Sequence, residues 1–318
     1  AQMNVPRYGH TATLLAGSKV LVAGGYDGSN DLASAEIFDA VTSSWTAISS
    51  MGAARYYHTA TLLQNNRVLV VGGYNSAGEL ARAEIYDPTT DSWSPVASMS
   101  IGHYQHTANL LPDGRVLISG GFYVSVTGGG NGAPSGTTEI YNPATGTWSY
   151  AGSMTIARSA HTATELSTGE ILVTGANVGG GGAAASADIY DPTAINDWSV
   201  AGPMITVTDS GAAALLQSGE VLVTGGAGSS LATSAEKYSP TTNSWSNAGP
   251  MNIWRAYHTA TTLTDGQVLV TGGYVGGSTN SAEIYIPATN SWSLAAPMST
   301  GRYNHTATLL SDGRVLVT

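Results

Sequence analysis

MGAARYYHTATLLQNNRVLVVGGYNSAGELARAEIYDPTTDSWSPVAS, residues 51–98, decides the fold, because its parts recur from one end of the chain to the other. Met51 and Arg55 lead into the small and β-branched run His58-Thr59-Ala60-Thr61-Leu62-Leu63. The apolar run Val68 to Val71 follows, then Gly72-Gly73-Tyr74, Ala83-Glu84-Ile85-Tyr86-Asp87-Pro88 and Trp93. Every methionine marks such a start: Met3, Met51, Met99, Met154, Met204, Met251 and Met298. A fixed period of about 50 residues is the mark of an array in which each repeat is one supersecondary unit.

Within a repeat the pattern predicts four strands, near residues 9–15, 19–23, 35–38 and 45–48 of the first copy. Strand one is small and β-branched, as a crowded central strand must be. The dipeptides Asp113-Gly114, Asp265-Gly266 and Asp312-Gly313 then supply the positive φ expected of a two-residue hairpin. Strand two is an unbroken apolar run, the pattern of a strand covered on both faces. It ends in a double glycine at 24-25, 72-73, 120-121, 225-226 and 272-273, with Gly175-Ala176 the lapse. Strand three alternates apolar and polar residues and stops at Asp87-Pro88, Asn142-Pro143 or Asp191-Pro192, where proline cannot donate to a ladder. Strand four opens at Trp45, Trp93, Trp148, Trp198, Trp245 and Trp292. Four-stranded sheets repeated radially are propeller blades.

Seven copies of strands one and two stand against six of strands three and four. The expectation is a single domain over residues 1–318, all β, with six full four-stranded blades and an inner half blade filling a seventh position. Natural sequence continuing past Thr318 belongs to that expectation. A closed six-bladed ring would instead leave the consensus-like strand near Val317 without a neighbour.

Composition narrows the partners. A net charge of −10 with only 11 Lys and Arg argues against nucleic acid and against an anionic membrane surface, both of which need clustered basic residues. No run of 18 apolar residues could cross a bilayer as a helix, and Ala1-Gln2-Met3 leads into the first repeat without a charged and apolar leader. With no cysteine there is neither a disulfide nor a thiolate metal site. Low charge and the abrupt start suit a processed secreted protein, so an extracellular or cell-surface location is expected.

The double glycines, with the Tyr and Trp that follow at fixed distances, resemble the kelch repeats, and the resemblance covers essentially the whole chain. It implies a kelch β-propeller in which Tyr86, Trp93 and their equivalents pack between blades. The strand-three acids Glu36, Glu84, Glu139, Asp188, Glu236 and Glu283 are expected to satisfy a neighbouring Arg or backbone donor rather than to catalyse. Among the candidate arginines Arg7, Arg55, Arg158, Arg255 and Arg302, pairing with these acids is favoured over contact with an anionic ligand.

Strand direction places the strand-two-to-three loops and the links between blades on one face, and there the repeats diverge. The third repeat inserts Phe122 to Thr137, and the fourth carries Gly179 to Gly182. Just before strand one stand Tyr8, Tyr56-Tyr57, Tyr104, Tyr257 and Tyr303; just after the double glycines stand Tyr26, Tyr74 and Tyr274. Peptide-binding kelch domains engage partners through these positions, so the resemblance implies recognition of a protein, peptide or glycan by this tyrosine-rich face, without cofactor or metal. Blades four and five contribute Ser159, Ala160, Asn177, Asp209, Ser210 and Ala227 as a small, polar sector.

His10, His58, His106, His161, His258 and His305 recur at one strand-one position, with Gly211 the exception, and recurrence favours a structural bond to the adjacent strand over a metal site. Tyr57-His58 and Tyr257-His258 do resemble the Tyr-His stretch of secreted copper-radical oxidases of the galactose-oxidase kind. That family also needs a cysteine cross-linked to its tyrosine, which this chain lacks, so a metal-binding propeller without radical chemistry is the alternative. No unrepeated cluster of acid, base and nucleophile appears, and a non-catalytic role is expected. The glycine runs at 128–130 and 179–182 open no Gly-Lys-Ser/Thr motif, which argues against phosphate binding.

Overall fold

A computed structural model of the chain describes residues 2–123, 132–179, 182–194, 197–227 and 233–318. Strands and turns account for all their regular structure. In blade one, Thr11–Leu15, Lys19–Ala23, Ala35–Asp39 and Ser44–Ile48 lie in that order from the inside outward, each antiparallel to the next. The register sets Val22 opposite Glu36 and Phe38 opposite Trp45. Five further four-stranded arrangements repeat this order, with inner strands Thr59–Leu62, Thr107–Leu110, Thr162–Glu165, Ala212–Leu215 and Thr259–Thr262. Ala307–Leu309 and Val315–Val317 form a two-stranded seventh sheet.

That seventh sheet belongs to the ring. Its inner strand lies between the inner strands of blades six and one. A closed circuit of backbone hydrogen bonds also runs through all seven positions at one end of the channel. Tyr57 N donates to Gly9 O (2.8 Å), Gln105 to Tyr57 (3.0 Å), Ala160 to Gln105 (3.1 Å), Ser210 to Ala160 (3.2 Å), Tyr257 to Ser210 (2.8 Å), Asn304 to Tyr257 (3.1 Å) and Gly9 to Asn304 (3.3 Å). Each of these residues has a positive φ between 49° and 63°. The left-handed turn at each blade aims its N–H at the preceding blade, and the bond made offsets a conformation costly for residues such as Tyr57.

The core lies between blades. Val68 to Val71 are at most 1% exposed because a blade covers each face. Tyr86 of blade two is buried among Leu15, Leu21, Ala23, Ala35 and Met51, with Trp93 against its edge, and Trp93 Nε1 donates to Ser49 O at 2.8 Å. A fully buried side chain of this size contributes on the order of 2–3 kcal/mol. The same Tyr–Trp wedge recurs at Tyr141, Tyr190, Tyr238 and Tyr285, and Phe38 replaces the tyrosine where blade one meets the seventh sheet.

Two expectations need correcting. The Asp-Gly turns are not two-residue hairpins with two left-handed residues: only Gly114 of its turn has a positive φ (86°), Gly114 N bonds Leu111 O, and Leu111 N bonds Arg115 O. This is a three-residue loop, a type I turn closed by a left-handed glycine, whose first position suits Pro112. In blade three the insertion is partly strand. Ala133–Asn142 pairs with a long outer strand, Thr147–Arg158, through two register shifts, and Phe122–Tyr123 pairs back onto Ala133 and Pro134. Residues 124–131 of this insertion, including its glycine run, and residues 180–181 of the fourth repeat lie outside the described residues.

Candidate functional site

The segment entering each inner strand is held by a buried arginine. Arg55 Nη1 donates to Gly72 O (2.8 Å) and Arg82 O (3.0 Å), and Nη2 meets Glu84 at 2.7 Å. Glu84 also accepts the Gly52 N–H at 2.6 Å. Arg7–Glu36, Arg158–Asp188 and Arg255–Glu283 repeat the pair at 2.8–2.9 Å, with all four arginine side chains fully buried, so these cations face no ligand. In blade three His103 takes the arginine position and Glu139 turns to Ser100. In blade five Thr208 takes it, and Glu236 accepts the Ile205 and Thr206 N–H groups.

Held this way, the residue before strand one pairs with the residue after the double glycine. Tyr8 bridges to Tyr26, Tyr56 to Tyr74, Tyr104 to Phe122, Ser159 to Asn177, Asp209 to Ala227 and Ala256 to Tyr274. The two sets of positions picked out in the sequence are thus neighbours on one rim. Tyr8, Tyr26, Tyr56, Tyr74 and Tyr104 form a continuous arc across blades one to three, ring centroids 5.2–5.8 Å apart, and Phe122 extends it at 5.5 Å. Tyr274 and Tyr303 form a second, separate pair at 5.7 Å. Most neighbouring rings are tilted by 51–77°. Edge-to-face packing leaves notches between rings rather than one flat platform.

Tyr57 differs from the others. It lies half-buried over Gly9 at the channel mouth, its hydroxyl accepts Asn304 Nδ2 at 3.1 Å, and burial first, then neighbouring tyrosines, push its pKa up to about 12. Tyr57, Tyr257, Gln105, Ser210 and Asn304 surround a mouth cavity of about 240 Å³. Opposite the aromatic arc, Asp209 is half-buried, its Oδ1 has no partner among the described residues, and burial holds its carboxyl above the ordinary range.

A feature the sequence did not reveal is an open cleft of about 550 Å³ between blades one and two, walled by Tyr26, Tyr56 and Tyr74 and floored by Asn30, Asp31 and Ser76. Ser76 N donates to Asp31 Oδ2 at 2.7 Å, joining two blades' loops. Burial and then the Asp31 charge raise the Tyr56 pKa; Glu79 does the same to Tyr104, after burial and Tyr74. Asp31 and Glu79 stand in loops that differ from repeat to repeat, so only the folded ring shows which tyrosines they face.

The recurrent histidines are committed to the ring. Nε2 of His58, His106 and His161 lies 2.9–3.0 Å from Thr11, Thr59 and Thr107 of the preceding inner strand, and His258 lies 2.8 Å from Thr224. Among the described residues no three His, Cys, Asp or Glu side chains converge as a metal site would require. With Nε2 engaged and no cysteine in the chain, these residues do not fit a copper-radical centre.

Burial, helped by the nearby Arg or His charges, holds His10, His106, His161 and His258 down at a pKa of about 3. An unfolded histidine titrates near ~6.5. Below that pH the unfolded chain takes up protons that the folded chain refuses, so the stability is full above pH ~6.5 and is lost progressively toward pH ~3. Denaturant midpoints measured between pH 7 and pH 5, before carboxylates titrate, are expected to fall steadily. A flat profile would contradict the buried neutral ring.

Radially repeated four-stranded blades around a channel define a β-propeller. The kelch-repeat domain family described by KLHDC2, KLHL20 and DRC7 matches residues 1–180, and the kelch motif matches residues 210–252 and 255–299. The chain belongs to the kelch-repeat family. No curated protein sequence matches it. Among solved structures, a fungal alcohol oxidase of the AA5 family in complex with copper superposes with a TM-score of 0.80 at 19% identity, over 99% of this chain and 70% of that one. The structure of YjhT superposes with a TM-score of 0.70 at 17% identity, over 93% and 99%. At such identities the likeness concerns the fold alone.

Proposed function

We propose that the protein is a non-catalytic binding module whose tyrosine-rich rim recognises an extended segment of another protein, with a Lys or Arg side chain of that segment seated in the cleft between Tyr26, Tyr56 and Tyr74. The observation that carries the reading is the union of notched aromatic walls with the Asp31 carboxylate in one open cleft. A cation over tyrosine faces gains about 0.5–2 kcal/mol, more as water is excluded. Tilted rings favour side chains in notches over the flat stacking that sugars prefer, which ranks a peptide above a glycan. An extracellular or cell-surface setting is part of the same proposal, resting on the low proportion of charged residues.

The test is a peptide and glycan array probed with the wild type beside a Tyr56→Ala, Tyr57→Ala, Tyr257→Ala variant, shown to be folded by circular dichroism. A basic peptide hit is expected to weaken at least ~100-fold in the triple variant, since three rim aromatics contributing ~1 kcal/mol or more each sum to ~3 kcal/mol or more. Asp31→Asn should weaken it by about tenfold and flatten its salt dependence. A glycan hit lost in the triple variant, with no peptide hit, would replace the peptide reading. A hit indifferent to both variants would defeat recognition through this rim. Elemental analysis of untagged protein, beside His58→Ala and His258→Ala, tests the metal-binding alternative.

A further inference from the structure

Each strand-three acid is met by the link that follows its repeat's methionine, and in every blade but the second that link supplies a side-chain donor. Asn4 Nδ2 donates to Glu36 at 2.7 Å and Asn252 Nδ2 to Glu283 at 2.8 Å; the hydroxyls of Ser100, Thr155 and Thr206 donate to Glu139, Asp188 and Glu236. Blade two has Gly52 where blades one and six have these asparagines, and Glu84 receives no such bond among the described residues. Glu36 and Glu283 each accept four hydrogen bonds, whereas Glu84 accepts two, from Gly52 N and Arg55 Nη2. A carboxylate has about four acceptor sites, so Glu84 keeps acceptor capacity in hand.

That capacity faces a cleft. Beside Gly52 a space of about 600 Å³ opens on the outer flank of the ring between blades one and two, walled by Glu84 and by Trp93, Pro95 and Val96 of the outer strand. A Cβ at Gly52 would lie 3.0 Å from Glu84 Oε2, so the glycine keeps the approach to the carboxylate open. The Glu84 side chain retains 7% exposure where those of Asp188 and Glu283 retain none. Arg82, exposed and with no side-chain partner among the described residues, borders the same space, as do the exposed residues Ser50 and Ser98. The charges balance: Arg55 neutralises Glu84, and Arg82 offsets Asp91, whose carboxylate accepts the Ser49 and Tyr86 hydroxyls.

We propose that this cleft binds a short neutral saccharide, one hydroxyl of which donates to Glu84 at the place that the asparagine amide takes in blades one and six. Arg82 donates to the sugar oxygens, and an apolar ring face lies along Trp93 and Pro95. A cation entering the cleft would meet Arg82 and an anion would meet Asp91, whereas a saccharide brings hydroxyls that donate and accept, as the serines do, and an apolar face for the wall. The volume falls in the range of roughly 300–1,000 Å³ usual for small-molecule sites. None of the lining residues is shared with the cleft between Tyr26, Tyr56 and Tyr74.

Maltotriose, cellotriose and triacetylchitotriose are the probes, each titrated into the protein by calorimetry. Saturable binding of at least one is expected. Gly52→Asn copies blades one and six at a position without left-handed backbone, so its denaturant midpoint should match or exceed that of wild type while the saccharide binds at least about tenfold more weakly, the native donor having taken the ligand's place. Arg82→Gln should also weaken binding, and it decides if Gly52→Asn proves unfolded by circular dichroism. The rim triple variant should bind the saccharide like wild type, so loss of a peptide in that variant and loss of a saccharide in Gly52→Asn report on separate sites. No saturable binding of any of the three, equal affinity in wild type and the deciding variant, or loss of the saccharide in the rim triple variant overturns the proposal.

Discussion

Arg158→Met is expected to destabilise the propeller by about 3–5 kcal/mol, the cost of leaving a buried charge without its partner. Arg158 and Asp188 are both fully buried and meet at 2.8 Å, and Arg158 Nη1 also bonds Gly175 O and Ser186 O at 3.0 and 3.2 Å. The methionine fills the volume but satisfies neither the carboxylate nor the carbonyls. Among the described residues Asp188 then keeps the Thr155 hydroxyl alone. Arg158→Met combined with Asp188→Leu should recover much of the loss, since an apolar pair of similar volume is often as stable as a buried ion pair. Arg302→Met, at the same repeat position but with no acid beside it among the described residues, should change stability by less than about 1 kcal/mol. Denaturant midpoints of the four proteins check the series. Equal losses for Arg158→Met and Arg302→Met would mean that the pairing with Asp188 is not what these arginines are for.

The series also marks what the sequence could show. Repeat positions with one physical job in most blades are legible: the apolar second strand, the Tyr–Trp wedge, the arginine with its strand-three acid, and the histidine bonded to the neighbouring strand. The arginine pairs within its own repeat and the wedge and histidine join one repeat to the next, and in either case the same contact brings the same residue types back at the same spacing. The ring of left-handed residues was not legible. Its positions hold Gly9, Tyr57, Gln105, Ala160, Ser210, Tyr257 and Asn304, with no shared chemistry, because backbone bonds around the channel rather than side-chain preference hold the conformation. The hairpin loops were misjudged for a related reason: an Asp-Gly pair signals a left-handed residue but not how many residues the turn contains. The rim tyrosines could be picked out, yet their grouping into an arc and a separate pair depends on which blades adjoin. Asp31 became a candidate only because folding brings its loop against Tyr56 and Tyr74.

Gly24→Ala is the substitution that most directly tests why the double glycine is there. Gly24 has φ +65°, and a Cβ would lie 2.5 Å from Arg55 O and 2.6 Å from His58 Cε1 of the next blade. Neither neighbour can retreat cheaply: Arg55 O accepts the Gly25 N–H at 2.8 Å, and His58 Nε2 is fixed to Thr11 at 3.0 Å. A left-handed alanine costs roughly 1–2 kcal/mol and an overpacked core site roughly 1–3 kcal/mol, so a loss on the order of 2–5 kcal/mol is expected. Gly175→Ala should cost less, because the following blade has Gly211 where the others have histidine and the nearest atoms to its Cβ belong to Thr208, at 2.8 Å and beyond. Gly277→Ala, with nothing within 4 Å and no left-handed backbone, should be near neutral. The mechanism has its own readout. If the new methyl group pushes the imidazole away from Thr11 toward solvent, His58, which burial first and then the Arg55 charge now hold well below the usual histidine range, will titrate closer to pH ~6.5 in proton NMR. A destabilised Gly24→Ala protein in which His58 stays neutral throughout would place the strain in the backbone alone and not in the contact between blades.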